Sequence, residues 1–444
     1  MRSAPWQAKV VLWAALVAGA ATPSAAAGLE GHWRGEWRRG GEALHVEMDF
    51  ASHDGTLDGS FDSDGLRVVG IPFRDVSFAA PDVTWRIVGD ATTTTFHGKL
   101  QGDTLEGGFE ENGSEGQFRF VRSAAPPRLH EETLTFRSGT VSLGGTLVLP
   151  SESGGPFPAI VFLHGSGPEG RWASKYLATQ FAREGVAALV YDKRGVGQST
   201  GDWKAAGFEE LVDDALAAIA ALRLHPRIDR NRIGIHGHSQ GATYAPWVAE
   251  RSGTLAFIVS SSGPGVPMDE LERFSLENAV GLPRLPPEQA KDARELVDAL
   301  VDAAYHGASR ERLAAAWRRV AEQPWAFPLP DAGDRYWSFS GKVADYDPLA
   351  HWKQVTAPTL LVFGERDERV PAARSAALIA QALLSGRGQD VSVKVFPGAD
   401  HNFRLLAAPA GSQAWPATVE GYPDLVLDWV KRVVDGGGAL PRDE

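Results

Sequence analysis

The 444-residue sequence contains no cysteine, which excludes disulfide bonds, thiolate chemistry, cysteine-ligated zinc and a lipoprotein anchor. It also lacks an excess of basic residues, because 44 Lys and Arg stand against 56 Asp and Glu, a formal net charge of −12. This acidic balance disfavours nucleic acids and anionic membrane surfaces as partners. The remaining composition, 43% hydrophobic and 23% charged, is typical of a soluble globular protein with a sizeable core.

Long apolar runs are missing as well, and the longest candidate lies at the N-terminus. Arg2 and Lys9 flank the apolar run 10–21, which is too short for a spanning helix and is followed by small residues up to Ala27. This pattern predicts a signal peptide over 1–27 that is cleaved after Ala27. We therefore expect an exported protein, periplasmic or secreted, with no stable membrane insertion after cleavage. A retained N-terminal anchor is the alternative.

Residues 28–122 have the pattern of an all-β domain. Apolar and polar residues alternate, as in 44–50, and Asp-Gly, Gly-Asp and Asn-Gly pairs recur at short spacing. Short strands separated by such turns predict a small sandwich or barrel, with Trp33 and Trp37 in its core. No catalytic constellation occurs in this region, so we expect an accessory domain that is dispensable for cleavage of a small activated ester.

Beyond a small, proline-rich linker at 123–131, strands alternate with helices over 132–438. The continuous apolar run 159–163 is typical of a parallel strand that is buried on both faces. Strands are predicted at 133–136, 141–149, 159–163, 186–191, 233–236, 255–259, 359–363 and 391–396, and helices at 174–184, 208–224 and 425–434. The first two strands are expected to form an antiparallel hairpin. The alternation predicts a mostly parallel, doubly wound sheet.

One insertion interrupts this alternation, because no good strand occurs between Gly263 and Pro358. Two helical patterns, 287–305 and 309–321, indicate a helical cap over about 266–345. Six aromatic residues crowd a short segment there: Trp317, Trp325, Phe327, Tyr336, Trp337 and Phe339. Most are expected to form the core of the cap. Because the insertion overhangs the carboxyl edge of a parallel sheet, where ligands bind, one or two are expected to line an apolar pocket.

The stretch Gly237–Gly241 has the pattern Gly-x-Ser-x-Gly, with Ser239 at its centre. It follows the apolar run 233–236 and precedes a helical pattern, which is the order of a nucleophile elbow rather than of a tight structural turn. In such an elbow the serine lies on a strained turn, and its small neighbours let strand and helix approach. The N–H of Gln240 then lies at a helix N-terminus and can stabilise an oxyanion.

A serine nucleophile needs a base within hydrogen-bond reach, and the base needs an acid to orient it. The loop after the strand 391–396 offers His401. The loop after the strand 359–363 offers three carboxylates, those of Glu365, Asp367 and Glu368. Both loops follow strand carboxyl ends, as Ser239 does. Asp400 adjoins His401, but adjacent side chains rarely face each other, so we expect a capping or solvated role for Asp400.

These motifs resemble those of the α/β-hydrolase family over about 132–434. The Gly-x-x-Asp-x-x-Val-Pro pattern of the family implies Asp367 as the acid, with the neighbouring glutamates as rivals that lie off the pattern. Its Gly-x-x-His pattern implies His401 as the base. Some members take the acid from the loop after the preceding strand, but here that loop, 260–264, has no carboxylate.

This resemblance implies an α/β-hydrolase fold, a doubly wound and mostly parallel sheet with a helical cap insertion. It does not reach the small all-β domain that precedes the sheet. The loop His164–Gly167 is similar to the His-Gly-x oxyanion loop of the family. The resemblance therefore implies the N–H groups of Ser166 and Gln240 as the oxyanion hole, with His164 bracing the loop.

The loop 192–201 resembles the Asp-x-Arg-Gly-x-Gly-x-Ser loop of the branch that contains esterases and serine aminopeptidases. Its glycines do not form a phosphate cradle, because the Lys-Ser or Lys-Thr of a P-loop is missing. We interpret it as a structural loop below the active site. His236 and His238, beside the serine, are interpreted as packing or hydrogen-bonding residues.

The motifs together predict acyl transfer to water by Ser239, His401 and Asp367, without a metal or an organic cofactor. The favoured substrate is a small-molecule carboxylic ester. The alternative is an aminopeptidase-like or prolyl-peptidase-like enzyme, which needs a buried carboxylate in the cap to hold a substrate amine. Four acidic residues are candidates for it: Asp269, Glu270, Glu272 and Glu277. A noncatalytic glycan- or lipid-binding protein is a third hypothesis, against which the complete constellation argues.

Overall fold

The computed structural model of the chain describes residues 28–88, 92–127, 129–388, 390–405, 415 and 417–436. The predicted signal peptide, 1–27, lies outside the described residues, so cleavage and export stay predictions. Within the described ranges, no helix combines the length and the apolarity that crossing a membrane requires.

The N-terminal part of the described chain is one antiparallel sheet of nine strands. The strands are β1 (Gly31–Arg39), β2 (Glu42–His53), β3 (Thr56–Ser63), β4 (Val68–Pro72), β5 (Arg74–Ala79), β6 (Asp82–Val88), β7 (Thr93–Gln101), β8 (Thr104–Glu111) and β9 (Ser114–Ser123). Their order across the sheet is β4-β3-β2-β1-β9-β8-β7-β6-β5. The turn between β8 and β9 holds Asn112 and Gly113, both at positive φ, as tight hairpins favour.

The two edges of this sheet meet. Strands β4 and β5 lie at opposite edges, yet only Phe73 separates them in sequence. The Phe73 N–H donates to the Gly59 carbonyl oxygen of β3 over 2.7 Å. Because Phe73 is bonded to β3 and continues directly into β5, the sheet is a nearly closed barrel, one of the two architectures that the sequence predicts.

Aromatic side chains fill the barrel. Trp33 and Trp37 of β1 are only 0% and 4% exposed, which confirms them as core residues. Behind them the rings of Trp85 and Phe96 stack, with centroids 4.8 Å apart. Since each aromatic ring buries a large area, this cluster gives the barrel a hydrophobic core of its own.

The rest of the described chain is built on a second sheet, of eight strands. These are β10 (His130–Ser138), β11 (Val141–Leu149), β12 (Phe157–Leu163), β13 (Ala187–Tyr191), β14 (Ile228–His238), β15 (Ile258–Ser261), β16 (Thr359–Gly364) and β17 (Val391–Phe396). Their order is β10-β11-β13-β12-β14-β15-β16-β17. Strands β12 to β17 run parallel, and β10 and β11 form the predicted antiparallel hairpin at one edge.

Helices cover both faces of this sheet. They are α1 (Lys175–Arg183), α2 (Phe208–Leu224), α3 (Gln240–Ser252), α4 (Met268–Ala279), α5 (Pro287–Tyr305), α6 (Arg310–Val320), α7 (Arg335–Val343), α8 (Pro348–Trp352), α9 (Ala372–Ser385) and α10 (Tyr422–Val434). Along β12, Val161 and Leu163 belong to the core on one face, and Ile160 and Phe162 to the core on the other. Because successive strand residues point to opposite faces, the sheet is doubly wound, as predicted.

Helices α4 to α7 form the cap, between β15 and β16. Five of the crowded aromatic side chains pack on one apolar cluster within it, those of Trp317, Trp325, Phe327, Tyr336 and Trp337. Phe339 instead meets Phe208 of α2 edge-on, with ring centroids 5.7 Å apart, and so anchors the cap to the sheet domain. Most of the aromatic residues thus pack the core of the cap, as predicted. That one or two line an apolar pocket stays a prediction.

Some strand boundaries differ from the sequence pattern. The predicted strand 255–259 lies instead at Ile258–Ser261, because Ser260 and Ser261 continue it although both are polar. Both serines are 0% exposed. The Ser261 hydroxyl is bonded to Tyr422 Oη at 3.0 Å, so a side-chain partner compensates for its burial. Hydrophobic periodicity cannot detect such a partner.

Candidate active site

Ser239 lies on a strained turn between β14 and α3. Its backbone has φ 54° and ψ −116°, a region that residues with a Cβ rarely adopt. The Ser239 N–H donates to the Ser261 carbonyl oxygen at 3.0 Å, and the Thr243 N–H donates to the Ser239 carbonyl oxygen at 3.0 Å. The turn is therefore fixed from the neighbouring strand and from the helix, and it is the elbow that the sequence predicts.

The two glycines of the motif permit this turn. A Cβ on Gly237 would lie 2.5 Å from the carbonyl carbon and oxygen of Gly241. A Cβ on Gly241 would lie 2.7 Å from the Leu163 carbonyl oxygen at the end of β12. Any larger residue would push α3 away from the strands, so the close approach requires glycine at both positions.

The structure brings the three predicted side chains together. His401 Nε2 lies 2.9 Å from Ser239 Oγ. On the other side of the ring, His401 Nδ1 lies 2.8 Å from Asp367 Oδ2 and 2.9 Å from Asp367 Oδ1. His401 is 7% exposed and Asp367 6%, so the hydrogen bond between them is shielded from water. This arrangement can take a proton from the serine hydroxyl.

The backbone around Asp367 holds its carboxylate in place. The N–H groups of Arg369 and Val370 both donate to Asp367 Oδ1 at 2.8 Å. The rival Glu365 instead accepts a hydrogen bond from the Gly398 N–H at 2.8 Å. Among the described contacts, neither Glu365 nor Glu368 is bonded to His401. Asp367 is therefore the carboxylate that the histidine contacts.

Two side chains from the strand ends near Ser239 hold the main chain of His401. His238 Nε2 donates to the His401 carbonyl oxygen at 3.1 Å, and Ser262 Oγ donates to it at 3.0 Å. Burial lowers the pKa of His238 to about 4, so the ring is neutral at physiological pH. Asp400 accepts hydrogen bonds from the Asn402 and Arg404 N–H groups, which is the capping role that we expect.

The candidate oxyanion groups lie on two segments that meet at the elbow. Gln240 is the first residue of α3, where backbone N–H groups lack partners within the helix. Ser166 lies in the exposed loop after β12. That loop is braced by Glu169, whose carboxylate accepts the Gly165 N–H at 2.6 Å, and by His164, whose Nε2 donates to the Tyr191 carbonyl oxygen at 2.6 Å. The bracing role of His164 agrees with the sequence interpretation.

Lys193 joins these two segments, and sequence reasoning missed it. Its Nζ donates to the carbonyl oxygens of Gly165 and Gly167, at 2.7 and 3.0 Å, and to Gln240 Oε1 at 3.0 Å. The side chain is 1% exposed. Burial lowers the pKa of Lys193 to about 8, although the neighbouring Glu169 carboxylate acts to raise it. One ammonium group thus holds both candidate oxyanion segments.

The other charges of the 192–201 loop have the structural role that we expect. Asp192 pairs with Arg171 at 2.7 Å, and Arg194 pairs with the buried Asp214 of α2 at 2.7 Å. The loop is therefore a scaffold, but one whose second residue, Lys193, reaches the candidate site. The signal that could have identified Lys193 is its place directly after a buried parallel strand, at the edge where the elbow lies.

The cap contributes half-buried carboxylates on α4, which contacts the acid loop. Of the four acidic candidates, Asp269 is paired with His306 and Glu270 with Arg374. Glu272 on α4 instead accepts a hydrogen bond from Tyr336 Oη at 3.0 Å, and burial raises the pKa of Glu272. The described residues contain no group of three or more His, Asp or Glu side chains arranged to hold a metal ion.

A model of the alpha/beta hydrolase family matches residues 160–412. The match spans more than half of the 444 residues and includes Ser239, Asp367 and His401. The fold agrees with it, since the sheet is doubly wound and mostly parallel, with an elbow after β14. The chain therefore belongs to the alpha/beta hydrolase family.

Known relatives include an esterase and a peptidase. The chain is 27% identical to esterase EstD of Thermotoga maritima over 340 residues, which cover 74% of this chain and 72% of that protein. It is 26% identical to a proline iminopeptidase of Heyndrickxia coagulans over 238 residues, which cover 50% and 78%. Among solved structures, the Pyrococcus furiosus esterase Pf2001 aligns with a TM-score of 0.44 at 16% identity, covering 69% of this chain and 90% of that chain. The protein is thus a hydrolase with both kinds of relative.

Proposed function

We propose that this protein is an exported serine hydrolase that cleaves carboxylic esters. The observation that carries the proposal is the unbroken chain of hydrogen bonds from Ser239 Oγ through His401 to Asp367, with distances of 2.9 and 2.8 Å. A serine hydroxyl is a weak nucleophile unless a positioned base takes its proton. Here the base is already in contact with the hydroxyl and is oriented by a buried carboxylate.

In the first half of the reaction, Ser239 Oγ attacks the ester carbonyl carbon as its proton passes to His401 Nε2. Asp367, bonded to Nδ1, stabilises the imidazolium that forms. The N–H groups of Gln240 and Ser166 stabilise the negative charge on the former carbonyl oxygen. When the intermediate collapses, the bond to the alcohol oxygen breaks, and His401 returns the proton to that oxygen. The acyl group stays on Ser239.

In the second half, water replaces the serine as nucleophile. His401 Nε2 takes a proton from the water as its oxygen attacks the acyl carbon, and the same two N–H groups stabilise the oxyanion. The bond to Ser239 Oγ then breaks, the oxygen regains its proton from His401, and the carboxylic acid leaves. Every proton is returned, so the reaction needs no metal or organic cofactor.

The preference for esters is supported by the similarity to esterase EstD over most of both chains.

Export is proposed from the sequence pattern of 1–27 alone. We expect the mature protein to begin at Gly28, and its intact mass after expression in a secreting host is the measurement. A mass that includes Met1 would instead favour an anchored protein.

A second candidate function is an aminopeptidase-like serine peptidase, and Glu272 is the observation that favours it. This half-buried carboxylate is bonded to Tyr336, and burial raises its pKa. It lies on α4, which also contacts the acid loop, because Asn278 Nδ2 donates to the Glu368 carbonyl oxygen at 3.2 Å. A substrate ammonium group could pair with Glu272 there. The similarity to a proline iminopeptidase supports the same alternative.

Substitutions at the three proposed catalytic residues test the mechanism. We expect Ser239→Ala and His401→Ala each to lower kcat for a p-nitrophenyl ester by about a thousandfold or more, and the double variant to be little worse, because the residues act as a unit. Asp367→Asn should cost about ten-thousandfold. The asparagine oxygen can still accept the Arg369 and Val370 N–H groups, so its amide would face Nδ1 and favour the wrong imidazole tautomer.

The matched controls are Glu365→Gln and Glu368→Gln, which change neighbouring carboxylates that do not contact His401. Both should stay near the activity of the unmodified enzyme, and circular dichroism should show that all variants are folded. A nearly fully active Asp367→Asn beside an inactive Glu365→Gln would overturn the assignment of the acid.

A substrate panel with the variant Glu272→Gln separates the two candidate functions. For an esterase, kcat/KM should rise up to about fourfold per carbon from p-nitrophenyl acetate to butyrate, since a buried methylene contributes about 0.8 kcal/mol. Glu272→Gln should change these values little, and free-amine amides should be cleaved poorly. Three results together would support the peptidase hypothesis instead. Aminoacyl amides would be the faster substrates, acetylation of their amine would abolish turnover, and Glu272→Gln would raise their KM.

The buried Lys193 predicts a decline of activity at alkaline pH. Three hydrogen bonds require the protonated ammonium, and the proton is lost as the pH rises through the lowered pKa of Lys193, about 8. We therefore expect kcat/KM for an ester to fall above that pH, because the two oxyanion segments lose a donor and a positive charge. Lys193→Met should have about tenfold lower activity at pH 7 and no such alkaline limb.

Lys204→Met is the matched control. The Nζ atoms of Lys193 and Lys204 both lie 5.9 Å from the Trp203 ring centroid, but Lys204 is exposed. This variant should keep the alkaline limb. If Lys193→Met still lost activity at alkaline pH with the same apparent pKa, the loss would belong to another titrating group.

A further inference from the structure

The loop that carries His401 is clasped by a later segment of the chain. After His401, the Phe403 carbonyl oxygen accepts the Val419 N–H at 2.8 Å, and the Leu405 N–H donates to the Ala417 carbonyl oxygen at 2.8 Å. Residues 403–405 and 417–419 thus pair over a short antiparallel stretch, which we call the histidine clasp. The histidine loop is therefore tied to the clasp in addition to the bonds that His401 receives from His238 and Ser262.

A stacked pair of rings adds to the clasp. The rings of Phe403 and Tyr422 lie 4.0 Å apart and are nearly parallel, at 10°. Tyr422, the first residue of α10, also bonds through its hydroxyl to Ser261 Oγ, on the strand next to the elbow. The position of Phe403, two residues after His401, therefore depends on Tyr422.

The barrel reaches this clasp through Arg67, in the turn between β3 and β4. Its Nη2 donates to the Val419 carbonyl oxygen at 2.5 Å. Its guanidinium carbon lies 5.3 Å from the ring centroid of Tyr422, within cation–π distance. One barrel side chain thus contacts both partners of Phe403.

A second contact with the barrel involves Trp415, which shortly precedes the clasp residues 417–419 and packs into the barrel. Trp415 lies 6.2 Å from Trp37 and 6.1 Å from Phe109, between ring centroids, and so extends the aromatic core of the barrel. The guanidinium of Arg39 stacks on its outer face at 4.2 Å. The Trp415 N–H donates to the Glu42 carboxylate at 3.4 Å.

We propose that the N-terminal barrel positions His401 for catalysis, through Arg67 and through the contacts of Trp415 with the barrel. The inference rests on the proposed function, in which His401 is the base. Ser239 follows β14 directly and Asp367 lies three residues after β16, whereas His401 lies five residues after β17, on a loop whose clasp the barrel contacts. Displacements of about 1 Å at a catalytic group can cost about a hundredfold in rate, so a loosened clasp should reduce turnover. Arg67 and Trp415 are positioning residues, since neither contacts the reacting atoms. The inference departs from the expectation that the barrel is dispensable.

The test uses full-length enzyme with Arg67→Met or Trp415→Ala. We expect kcat for a p-nitrophenyl ester to fall about tenfold in each, with KM within about twofold, because the change acts on the base and not on substrate contacts. Arg67→Lys should recover part of kcat, since an ammonium can still donate to the Val419 carbonyl oxygen but cannot stack as a planar group. If Arg67→Met folded poorly, the comparison of Arg67→Lys with the unmodified enzyme would still test the inference.

A second readout does not depend on turnover. The proton shared by His401 Nδ1 and Asp367 should give a downfield proton NMR signal, and that signal should broaden or shift in Arg67→Met and Trp415→Ala. The matched control is Arg86→Met, which removes an exposed barrel arginine that is paired with the nearby Asp75. It should leave both kcat and the signal unchanged.

Two outcomes would overturn the inference. One is folded Arg67→Met and Trp415→Ala enzyme with unchanged kcat and an unchanged signal. The other is a loss of kcat in Arg86→Met equal to that in Arg67→Met, which would indicate a general effect of barrel damage. Full activity in Ser239→Ala would instead defeat the proposed function, and the NMR signal would still report whether the barrel positions the histidine.

Discussion

The turn at Ser239 imposes the constraint on which the rest of the site depends. A serine backbone at φ 54° and ψ −116° costs on the order of 1–3 kcal/mol, and it persists only where the surroundings over-determine it. Here the surroundings do so, because the α3 backbone passes so close to β12 and β14 that only glycine fits at Gly237 and Gly241. The energy of packing a doubly wound sheet thus holds one hydroxyl above the strand ends. The position of this hydroxyl also determines where the base and the oxyanion groups must lie to act on it.

The fold and the three contacting side chains could be read from the sequence for the same physical reason. Parallel strands buried on both faces appear as apolar runs, and β12 and β16 were found by that pattern to within two residues. Groups that follow such runs must gather at one edge of the sheet, so Ser239, Asp367 and His401 could be assigned before their distances were known. The polar end of β15 was missed because the burial of Ser261 depends on Tyr422, a partner far along the chain.

Lys193 could not be predicted for a related reason. A lysine in a glycine-rich loop is normally solvated, and its place after a buried strand indicates the edge of the sheet at which it lies but not its burial. Its burial arises only when the loop after β12, the loop after β13 and the start of α3 converge, and its three acceptors come from two of these segments. The cost of burying the ammonium is offset by those bonds and by the nearby Glu169 carboxylate. A charge placed in this way makes the relative position of the two oxyanion segments depend on a single proton.

The three groups of the candidate triad differ in how they are supported. Ser239 and Asp367 are held by main-chain bonds at the ends of strands, so sheet packing alone fixes them. The carbonyl oxygen of His401 is held by His238 and Ser262, but Trp415 and Val419, which precede α10, contact the barrel. A domain that supplies no catalytic atom therefore shares in the geometry of the base. A loop is more easily displaced than the end of a strand. The contacts of Arg67 and Trp415 therefore allow a separate domain to influence catalysis without touching the substrate.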